Sequence, residues 1–487
     1  MQKTLSELGL TGRAELRDLR VAGIATDSRR VRPGELFAAL PGSAVHGARF
    51  APLALERGAA AVLTDPEGAT LLPAGAPAVV VEDARAALAF AAALMAGRQP
   101  ETMVAVTGTN GKTSVASFTR QIWDALGIVA CNIGTTGVEG AYQAPAAHTT
   151  PEPVTLHRLL AEMAAFGVTH AAMEASSHGL DQRRLDAVRL VAAAFTNLTQ
   201  DHLDYHDTME RYFEAKSALF SRLLPADGVA VIDLDDPRGP ALAAACEGRG
   251  QEVIGTGRAE GARLRLTAQR FDATGQDVLF RWQGRAVSAR LELIGGFQAA
   301  NALVAAGLAI GSGEDPEAVF GALPRLRGVR GRMQLAATRA DGGAVFVDYA
   351  HTPDAVSTAL RALRPHVLGR IVAIVGAGGD RDRTKRPLMG AAAHAHADRV
   401  IVTDDNPRSE DPALIRAAVM AGAPGATEIG DRAEAILRGA AMLEPGDALL
   451  VMGKGHESGQ VVGDTVHPFD DAEQASLSVA ALEGRGT

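Results

Sequence analysis

Cysteine is scarce in this sequence, with only Cys131 and Cys246 among 487 residues. Neither belongs to a CxxC pair or to a spacing typical of metal ligands, which excludes a disulfide-built scaffold and a zinc finger. An excess of basic residues is also absent, because 48 Lys and Arg stand against 57 Asp and Glu, a net charge of −9. With only 4% aromatic residues as well, the chain lacks the composition of a nucleic-acid-binding protein, and we expect no nucleic-acid partner.

Long apolar segments are missing too. The longest run, Ala86 to Ala96, is far short of the ~20 residues that span a bilayer, and Met1–Leu10 has no apolar segment of the kind a signal peptide needs. We therefore expect a cytoplasmic protein without membrane association. What is present is a composition typical of folded proteins, 47% hydrophobic and 22% charged, over a length that suits about two to four domains.

Three blocks of the chain differ in pattern. The first, up to Arg98, alternates short apolar runs with a helical stretch, which predicts a small α/β unit, and the segment 97–103 suits a linker. The second opens with a strand-like run at Met103 and alternates strands with helices, which predicts a mostly parallel sheet with a period-two antiparallel patch near 264–293. The third block alternates in the same way and predicts a second open α/β domain.

The strongest local motif follows the strand-like run at Met103 and precedes a helical stretch. It consists of Gly108, Thr109, Asn110, Gly111, Lys112, Thr113 and Ser114. Glycines let backbone N–H groups turn toward phosphate oxygens, the lysine neutralises phosphate charge, and the threonine hydroxyl suits Mg²⁺. Val106 stands where a P-loop usually has its first glycine, and a glycine-rich turn with an ordinary lysine is the alternative. No NKxD-type pattern follows, which favours ATP over GTP.

Polar residues at two later strand ends extend this site. Glu174 and His202 each follow a strand-like run, and the carboxyl ends of parallel strands line the ligand crevice of such sheets. They are placed to hold a cation near a transferring phosphoryl group, although alone either residue could simply cap a helix or satisfy a loop. Lys216 lies on an amphipathic helix, where spacing alone predicts a solvated surface lysine.

Nine motifs in order along the chain carry a family resemblance: GTNGKTS, MEASSHGL, TNLTQDHLDYH with FEAKSALF, GGFQAANALVAAG, GRMQ, VDYAHTPD, GAGGDRDRTKRP, DDNPRSEDP and GKGHE. From Thr26 to Glu457, they resemble the Mur ligase family of peptidoglycan synthesis. The resemblance implies an α/β protein of three domains: a UDP-sugar domain over 1–98, an ATP-binding domain over 99–328 and a Rossmann-like amino-acid-binding domain over 329–487.

The resemblance also assigns the ATP and metal sites. Besides the P-loop, the residues matched to ATP contacts are Asn301, Arg332 and Asp348. Those matched to Mg²⁺ are Thr113, Glu174, His202 and Lys216, the last as a carbamate, and those matched to catalysis are Lys112, Glu174, His202 and Lys216. The family, not its spacing, therefore overturns the surface interpretation of Lys216.

Two substrate sites follow from the same resemblance. Contacts to a UDP-N-acetylmuramoyl dipeptide match Ser28, Ser43, Ala44, Val45, Thr149, Thr150, Ser176, Gln182 and Arg184. Contacts to meso-diaminopimelate match Arg381, Asp405, Asn406, Pro407, Arg408, Gly453 and Glu457. Residues 405–408 resemble the DNPR signature of the diaminopimelate-adding branch, in which a guanidinium can hold the distal carboxylate of the amino acid. Without the family, a polar turn is the better interpretation of this segment.

The implied activity is an ATP-dependent amide ligation through an acyl phosphate, performed by a monomer on small-molecule substrates. A lysine-adding ligase and a folylpolyglutamate synthetase are the related alternatives, and a non-catalytic ATP-binding regulator is an alternative of another class. The chain departs from the family at two positions, where His148 and Gln298 replace asparagines that are common in it.

Overall fold

The computed structural model describes residues 2–11, 14–42, 45–145 and 148–484. The chain forms two compact units, one of Met1–Leu264 with Val304–Val319 and the other of Arg265–Leu303 with Phe320–Thr487. Within the described ranges, every helix is too short or too polar to cross a membrane.

The first part of the first unit is a small parallel sheet in the order β3-β4-β5-β6, beside an antiparallel pair β1-β2. Its strands are β1 Lys3–Thr4, β2 Arg20–Val21, β3 Ile24–Ala25, β4 Leu36–Ala38, β5 Ala61–Thr64 and β6 Ala78–Val80, and its helices are α1 Ala51–Glu56, α2 Pro66–Ala69 and α3 Ala84–Ala96. The Asp83 side chain caps α3, and Gly97 ends it in the left-handed conformation, as helix-capping rules predict.

The rest of the first unit is built on a sheet in which strands follow the order β13-β12-β11-β7-β10-β8-β9. All neighbours are parallel except β8 and β9. The strands are β7 Thr102–Thr107, β8 Ala130–Gly134, β9 Gly137–Gly140, β10 His170–Glu174, β11 Ala192–Phe195, β12 Val229–Asp233 and β13 Glu252–Gly257. The helices are α4 Lys112–Ala125, α5 Pro153–Phe166, α6 Ser177–Asp181, α7 Leu203–His206, α8 Met209–Ala218 and α9 Gly239–Gly248. Because helices pack on this sheet, its strands are continuous apolar runs, such as Met103–Val106.

Four elements follow next along the chain: β14 Leu264–Asp272, the antiparallel pair β15 Gly275–Trp282 and β16 Arg285–Leu291, and α10 Phe297–Gly311. By residue number, β15 and β16 belong to the second unit, whereas β14 and α10 contain residues of both. Helix α11 Pro316–Ala322 follows. The pair β15–β16 confirms the antiparallel patch that the period-two pattern predicts.

The second unit contains a mixed sheet in the order β17-β18-β22-β19-β20-β21, parallel except for β17 against β18. Its strands, with a separate hairpin β23–β24, are β17 Gln334–Thr338, β18 Ala344–Asp348, β19 Ile371–Val375, β20 Arg399–Val402, β21 Thr427–Glu428, β22 Ala448–Met452, β23 Gly459–Val462 and β24 Thr465–Pro468. Its helices are α12 Pro353–Leu363, α13 Lys385–His396, α14 Pro412–Met420, α15 Arg432–Ala441 and α16 Asp471–Leu482. The α/β class and the mostly parallel central sheet are confirmed, whereas the domain bounds at 98 and 328 stay predictions.

Candidate active site

The P-loop motif occupies the turn between β7 and α4. Gly108 has φ +147° and Gly111 has φ +89°, conformations that side chains rarely adopt. A β-carbon at Gly108 would also collide with the Thr196 hydroxyl. Helix α4 begins at Lys112, and Thr113 and Ser114 are buried in its first turn. The motif therefore has the strand–loop–helix geometry of a phosphate-binding loop.

The loop after β11 holds the P-loop in place. Thr109 donates its backbone N–H to the Asn197 carbonyl at 2.9 Å, and Asn197 Oδ1 accepts from the Asn110 N–H at 2.9 Å. The Thr196 hydroxyl donates to the Asn110 carbonyl at 2.6 Å. Sequence reasoning missed Thr196 and Asn197 as part of the site, although they open the TNLTQDHLDYH motif.

Two lysines converge on one carbonyl of the P-loop. The Gly108 oxygen accepts from Lys112 Nζ at 2.9 Å and from Lys216 Nζ at 2.8 Å. Lys216 is only 1% exposed, so its interpretation from spacing as a surface lysine was wrong, because α8 packs that side chain inward. Burial, reinforced by the positive charge of Lys112, lowers the pKa of Lys216 well below its ordinary value. A buried, readily deprotonated amine is a nucleophile.

Tyr212 connects Lys216 with His202. Lys216 Nζ lies 4.3 Å from the centre of the Tyr212 ring, and the His202 ring centre lies 6.2 Å from that of Tyr212. The Tyr212 hydroxyl lies 3.3 Å from Thr109 Oγ1. His202 itself has φ +52°, and its ring is 4.8 Å from that of His178. The structure thus brings the P-loop, Lys216 and His202 together around one aromatic ring.

Glu174 stands at the carboxyl end of β10, beside the end of β7, where it pairs in register with Val106. It is 1% exposed. Its carboxylate accepts from the Thr135 N–H at 2.8 Å and from the Thr135 hydroxyl at 3.2 Å, a partner that the sequence did not indicate. Thr135 Oγ1 lies 3.0 Å from Thr149 Oγ1, which links Glu174 to the predicted dipeptide contacts.

The other residues matched to dipeptide contacts form one hydrogen-bonded group. Arg184 donates to the Thr150 carbonyl at 2.8 Å and to Gln182 Oε1 at 2.8 Å. The Thr150 hydroxyl donates to the Glu174 carbonyl at 2.9 Å and accepts from the Ser176 N–H at 3.0 Å. Five predicted residues, including Thr149, are therefore adjacent to one another and to the end of β10.

The predicted UDP-sugar residues lie in the N-terminal part of the first unit. Ser28 is buried in a short helical turn that the Asp27 side chain caps. Val45 is 48% exposed. Ser43 and Ala44 lie outside the described residues. The second unit contains the three residues matched to ATP contacts outside the P-loop, which are Asn301, Arg332 and Asp348. Their contact with ATP stays a prediction.

Those three residues are each held by a neighbour. Asn301 donates to Gln298 Oε1 at 3.0 Å. The glutamine that replaces a family asparagine at position 298 therefore still accepts a hydrogen bond from the Asn301 amide. The Arg332 guanidinium lies 4.4 Å from the centre of the Tyr349 ring. Asp348 accepts from the Met333 N–H at 2.7 Å, and burial raises its pKa.

The residues matched to diaminopimelate surround the ends of β19, β20 and β22. Asn406 Nδ2 donates to Glu457 Oε2 at 2.8 Å, and burial raises the pKa of Glu457. Gly453 has φ +120°, and a β-carbon there would collide with an Asp405 carboxylate oxygen. This second unit therefore joins the segment that contains Asn406 to the GKGHE segment, which lies about fifty residues later.

Arg408 and Arg381 flank Gly378, and an ion pair between the buried Arg386 and the partly buried Glu410 links their loops. Arg408 donates to the Gly379 carbonyl at 2.7 Å. Glu410 accepts from the Asp380 N–H at 2.7 Å and from Arg386 at 2.8 Å. Pro407 lies in the DNPR loop with Arg408. The carboxylate of Glu410 thus joins the GGDRD and DNPR loops, a role that no sequence pattern indicated.

No three His, Cys, Asp or Glu side chains in the described ranges are grouped closely enough to hold a metal ion by themselves. A site built on Glu174 and His202 would need the Thr113 hydroxyl and a group on Lys216 to complete its ligands.

Three family descriptions match successive parts of the chain. They are "Mur ligase family, catalytic domain" at residues 20–95, "Mur ligase middle domain" at 106–309 and "Mur ligase, glutamate ligase domain" at 331–455.

Two bacterial proteins are similar over nearly their whole length. The chain is 52% identical to a UDP-N-acetylmuramoyl-L-alanyl-D-glutamate–2,6-diaminopimelate ligase of Caulobacter vibrioides over 99% of both chains. It is 51% identical to the protein of the same name from Rhizobium meliloti over 98% of both. A solved structure of that name matches 99% of this chain and 100% of its own, with 34% identity and a TM-score of 0.73. A Mycobacterium tuberculosis folylpolyglutamate synthase shares the fold at 19% identity, with a TM-score of 0.61 over 82% of this chain and 95% of its own.

Proposed function

This chain belongs to the Mur ligase family, and we propose that it joins 2,6-diaminopimelate to UDP-N-acetylmuramoyl-L-alanyl-D-glutamate in an ATP-dependent reaction of peptidoglycan precursor synthesis. The relatives that carry this name are about half identical to it from end to end. The chain has the three-domain α/β fold of the family.

The observation that carries the choice of amino acid is the pairing of Asn406 with Glu457 beside Arg408. A second amino-acid head at the far end of diaminopimelate offers a carboxylate to the Arg408 guanidinium and an ammonium to Glu457. Lysine has no distal carboxylate and would leave Arg408 uncompensated. Asp405, Gly453 and Arg381 complete the proposed pocket.

The first unit supplies the groups for the phosphorylated end of the reaction. The γ-carboxylate of D-Glu would attack the γ-phosphorus of ATP, which forms an acyl phosphate and releases ADP. Lys112 and the N–H groups of the P-loop would stabilise the charge on the transferring phosphoryl group. Arg184 and Thr150, next to Glu174, would orient the dipeptide. The neutral amine of diaminopimelate would then attack the acyl carbon, and the tetrahedral intermediate would expel phosphate and leave an amide bond.

The donor set fits a magnesium ion. Glu174 is a buried carboxylate that forms no ion pair with a basic side chain among the described residues, and an uncompensated buried carboxylate is costly without a cation. Thr113 and His202 would be further ligands. When bound, Mg²⁺ would reduce the negative charge on the phosphates.

Lys216 would contribute as a carbamate. Its neutral Nζ would bond to the carbon of CO₂ and lose a proton, which yields an anionic oxygen donor in place of a buried cation. The lowered pKa of Lys216 favours this reaction because only the neutral amine has the lone pair that attacks. We further infer that the protein acts in the cytoplasm as a monomer.

The test is phosphate release from ATP with UDP-N-acetylmuramoyl-L-Ala-D-Glu, with meso-diaminopimelate or L-lysine offered in parallel and bicarbonate present. We expect release with diaminopimelate only. In Arg408→Ala, kcat/KM for diaminopimelate should fall about 100-fold, because the charged partner of a bound carboxylate is lost.

Arg361→Ala is the matched control, since Arg361 is exposed on α12 of the same unit, and it should retain full activity. Release with lysine in place of diaminopimelate would keep the ligase and contradict the proposed specificity. No release with either amino acid would favour an ATP-binding regulator.

A further inference from the structure

Lys454 is a buried cation that neither the proposed chemistry nor the family assignment uses. Its side chain is 0% exposed, although it lies in the GKGHE segment next to the proposed substrate pocket. Its Nζ donates to Asn406 Oδ1 at 2.9 Å and to the Gly459 carbonyl at 2.7 Å. Nζ also lies 3.8 Å from Glu457 Oε2. Burying a charged lysine costs free energy, and we therefore looked for a role in the contacts that its ammonium group makes.

The contacts of Lys454 determine which way the Asn406 amide points. Asn406 Oδ1 faces two donors, Lys454 Nζ and the Val461 N–H, each at 2.9 Å. Since an ammonium and a backbone N–H can only donate, the oxygen of the amide must face them. The amide nitrogen is then directed to Glu457 Oε2, to which it donates at 2.8 Å. With the amide reversed, its NH₂ group would face two donors, and its oxygen would face the Glu457 carboxylate, which can only accept.

We propose that Lys454 is a positioning residue for the distal amino group of diaminopimelate: it locks Asn406, and through Asn406 it holds Glu457 in the orientation that receives the substrate's ammonium. This inference rests on the proposed function. One carboxylate oxygen of Glu457 is held by the amide, which leaves the other to accept from the ligand. Lys454 touches no substrate in this account and acts through Asn406.

The charges around Glu457 make its pKa depend on Lys454, so the proposed role can be tested through pH dependence. Burial and the neighbouring Asp405 raise the pKa of Glu457, while the Asn406 hydrogen bond, Lys454 and Arg408 lower it. Arg432, which is paired with Asp471, and Tyr349 also face this carboxyl group. Removal of Lys454 takes away one of the groups that keep Glu457 ionised. Its pKa should rise, and below that pKa a protonated Glu457 cannot pair with an ammonium.

The experiment compares Lys454→Met with the full-length wild type in the phosphate-release assay. We expect KM for diaminopimelate to rise about tenfold or more, with kcat within about twofold and KM for ATP unchanged. The acid limb of kcat/KM for diaminopimelate should move to higher pH. A merely structural lysine would not move that limb, so an unchanged limb with an unchanged KM would overturn the proposal.

Lys3→Met is the matched control, because Lys3 lies in the first unit, where it donates to the Leu94 carbonyl, and it should leave both readouts unchanged. If Lys454→Met does not fold in a thermal unfolding assay, Asn406→Asp tests the same relay with the lysine in place. An aspartate still accepts from Lys454 but no longer donates to Glu457, so KM for diaminopimelate should rise as much. A wild-type KM in Asn406→Asp would also overturn the proposal, whereas a wild type without activity on diaminopimelate would refute the proposed function instead.

Discussion

At the scale of single residues, His456 is a histidine whose burial lowers its pKa. Its ring centre lies 5.1 Å from that of Tyr349, and its Nδ1 is a buried atom without a hydrogen-bond partner among the described residues. Burial, together with the positive charges of Arg332 and Arg330, lowers the pKa of His456 to about 4. The imidazole is therefore neutral in the folded protein at pH 7.

This burial makes stability depend on pH with a defined sign. Below the ordinary histidine pKa of about 6.5, the unfolded chain binds a proton at His456 that the folded protein does not bind. The free energy of unfolding should therefore fall as the pH drops from about 6.5 toward 4, and His456 should account for a loss on the order of 3 kcal/mol. In His456→Gln, denaturant unfolding measured across this range should show a shallower fall. The matched control is His467→Gln, at an exposed position on β24, and parallel curves for wild type and His456→Gln would contradict the prediction.

At the scale of elements, the turn between β7 and α4 depends on a glycine for two separate reasons. Gly108 has a left-handed φ of +147°, and its α-carbon approaches Thr196 so closely that no β-carbon fits. The close approach brings the loop after β11 against the P-loop, so the proposed phosphate site is assembled from two strand ends and not from the motif alone.

Gly108→Ala should therefore damage nucleotide binding more than it damages the helix. We expect ATP affinity, measured by isothermal titration calorimetry, to fall at least about tenfold, because the loop must shift away from Thr196 to admit the methyl group. Gly127→Ala is the control near the other end of α4: it has φ +80° with open space around it. That change should cost about 1 kcal/mol of stability and leave ATP affinity unchanged. Equal ATP affinity in the two variants would refute the steric argument.

The same scale shows the limits of reasoning from pattern. Apolar runs predicted the strand at Met103 and the strand that ends at Glu174, which the structure places at Thr102–Thr107 and His170–Glu174. Period-two alternation identified the hairpin of β15 and β16. These elements follow from local periodicity, which is readable without tertiary structure. The burial of Lys216 was not readable, since spacing on α8 does not reveal that the helix covers the P-loop.

At the scale of the whole molecule, both an apolar contact and an ion pair join the N-terminal sheet to the central sheet within the first unit. Val154 on α5 packs against the N-terminal core around Leu88 of α3. An ion pair of 2.8 Å between Arg183 and Asp83 spans the same junction, with both side chains partly exposed. Partly exposed ion pairs contribute little to stability, so apolar packing should hold this junction together.

Substitutions of Val154 and Asp83 should separate the contribution of apolar packing to stability from that of the ion pair. Val154→Asp places a charge against the N-terminal core and should lower the free energy of unfolding by about 2 kcal/mol or more. Asp83→Asn, which keeps the cap on α3, should cost less than about 1 kcal/mol. Chemical denaturation followed by circular dichroism measures both. A larger loss for Asp83→Asn than for Val154→Asp would show that the ion pair dominates the junction.

The sequence by itself determined the α/β class, the P-loop and the polar residues at the strand ends, because these depend on neighbours within a few residues. Its ordered motifs also identified the family and the candidate substrate residues. Only the tertiary structure revealed that Lys216 and Lys112 share the Gly108 carbonyl, that Thr135 holds Glu174 and that Lys454 orients Asn406. Each of these contacts, apart from that of Lys112, joins residues 39 to 108 positions apart. Burial and hydrogen bonding at such separations depend on how the sheets bring remote segments together, and no local pattern encodes that arrangement.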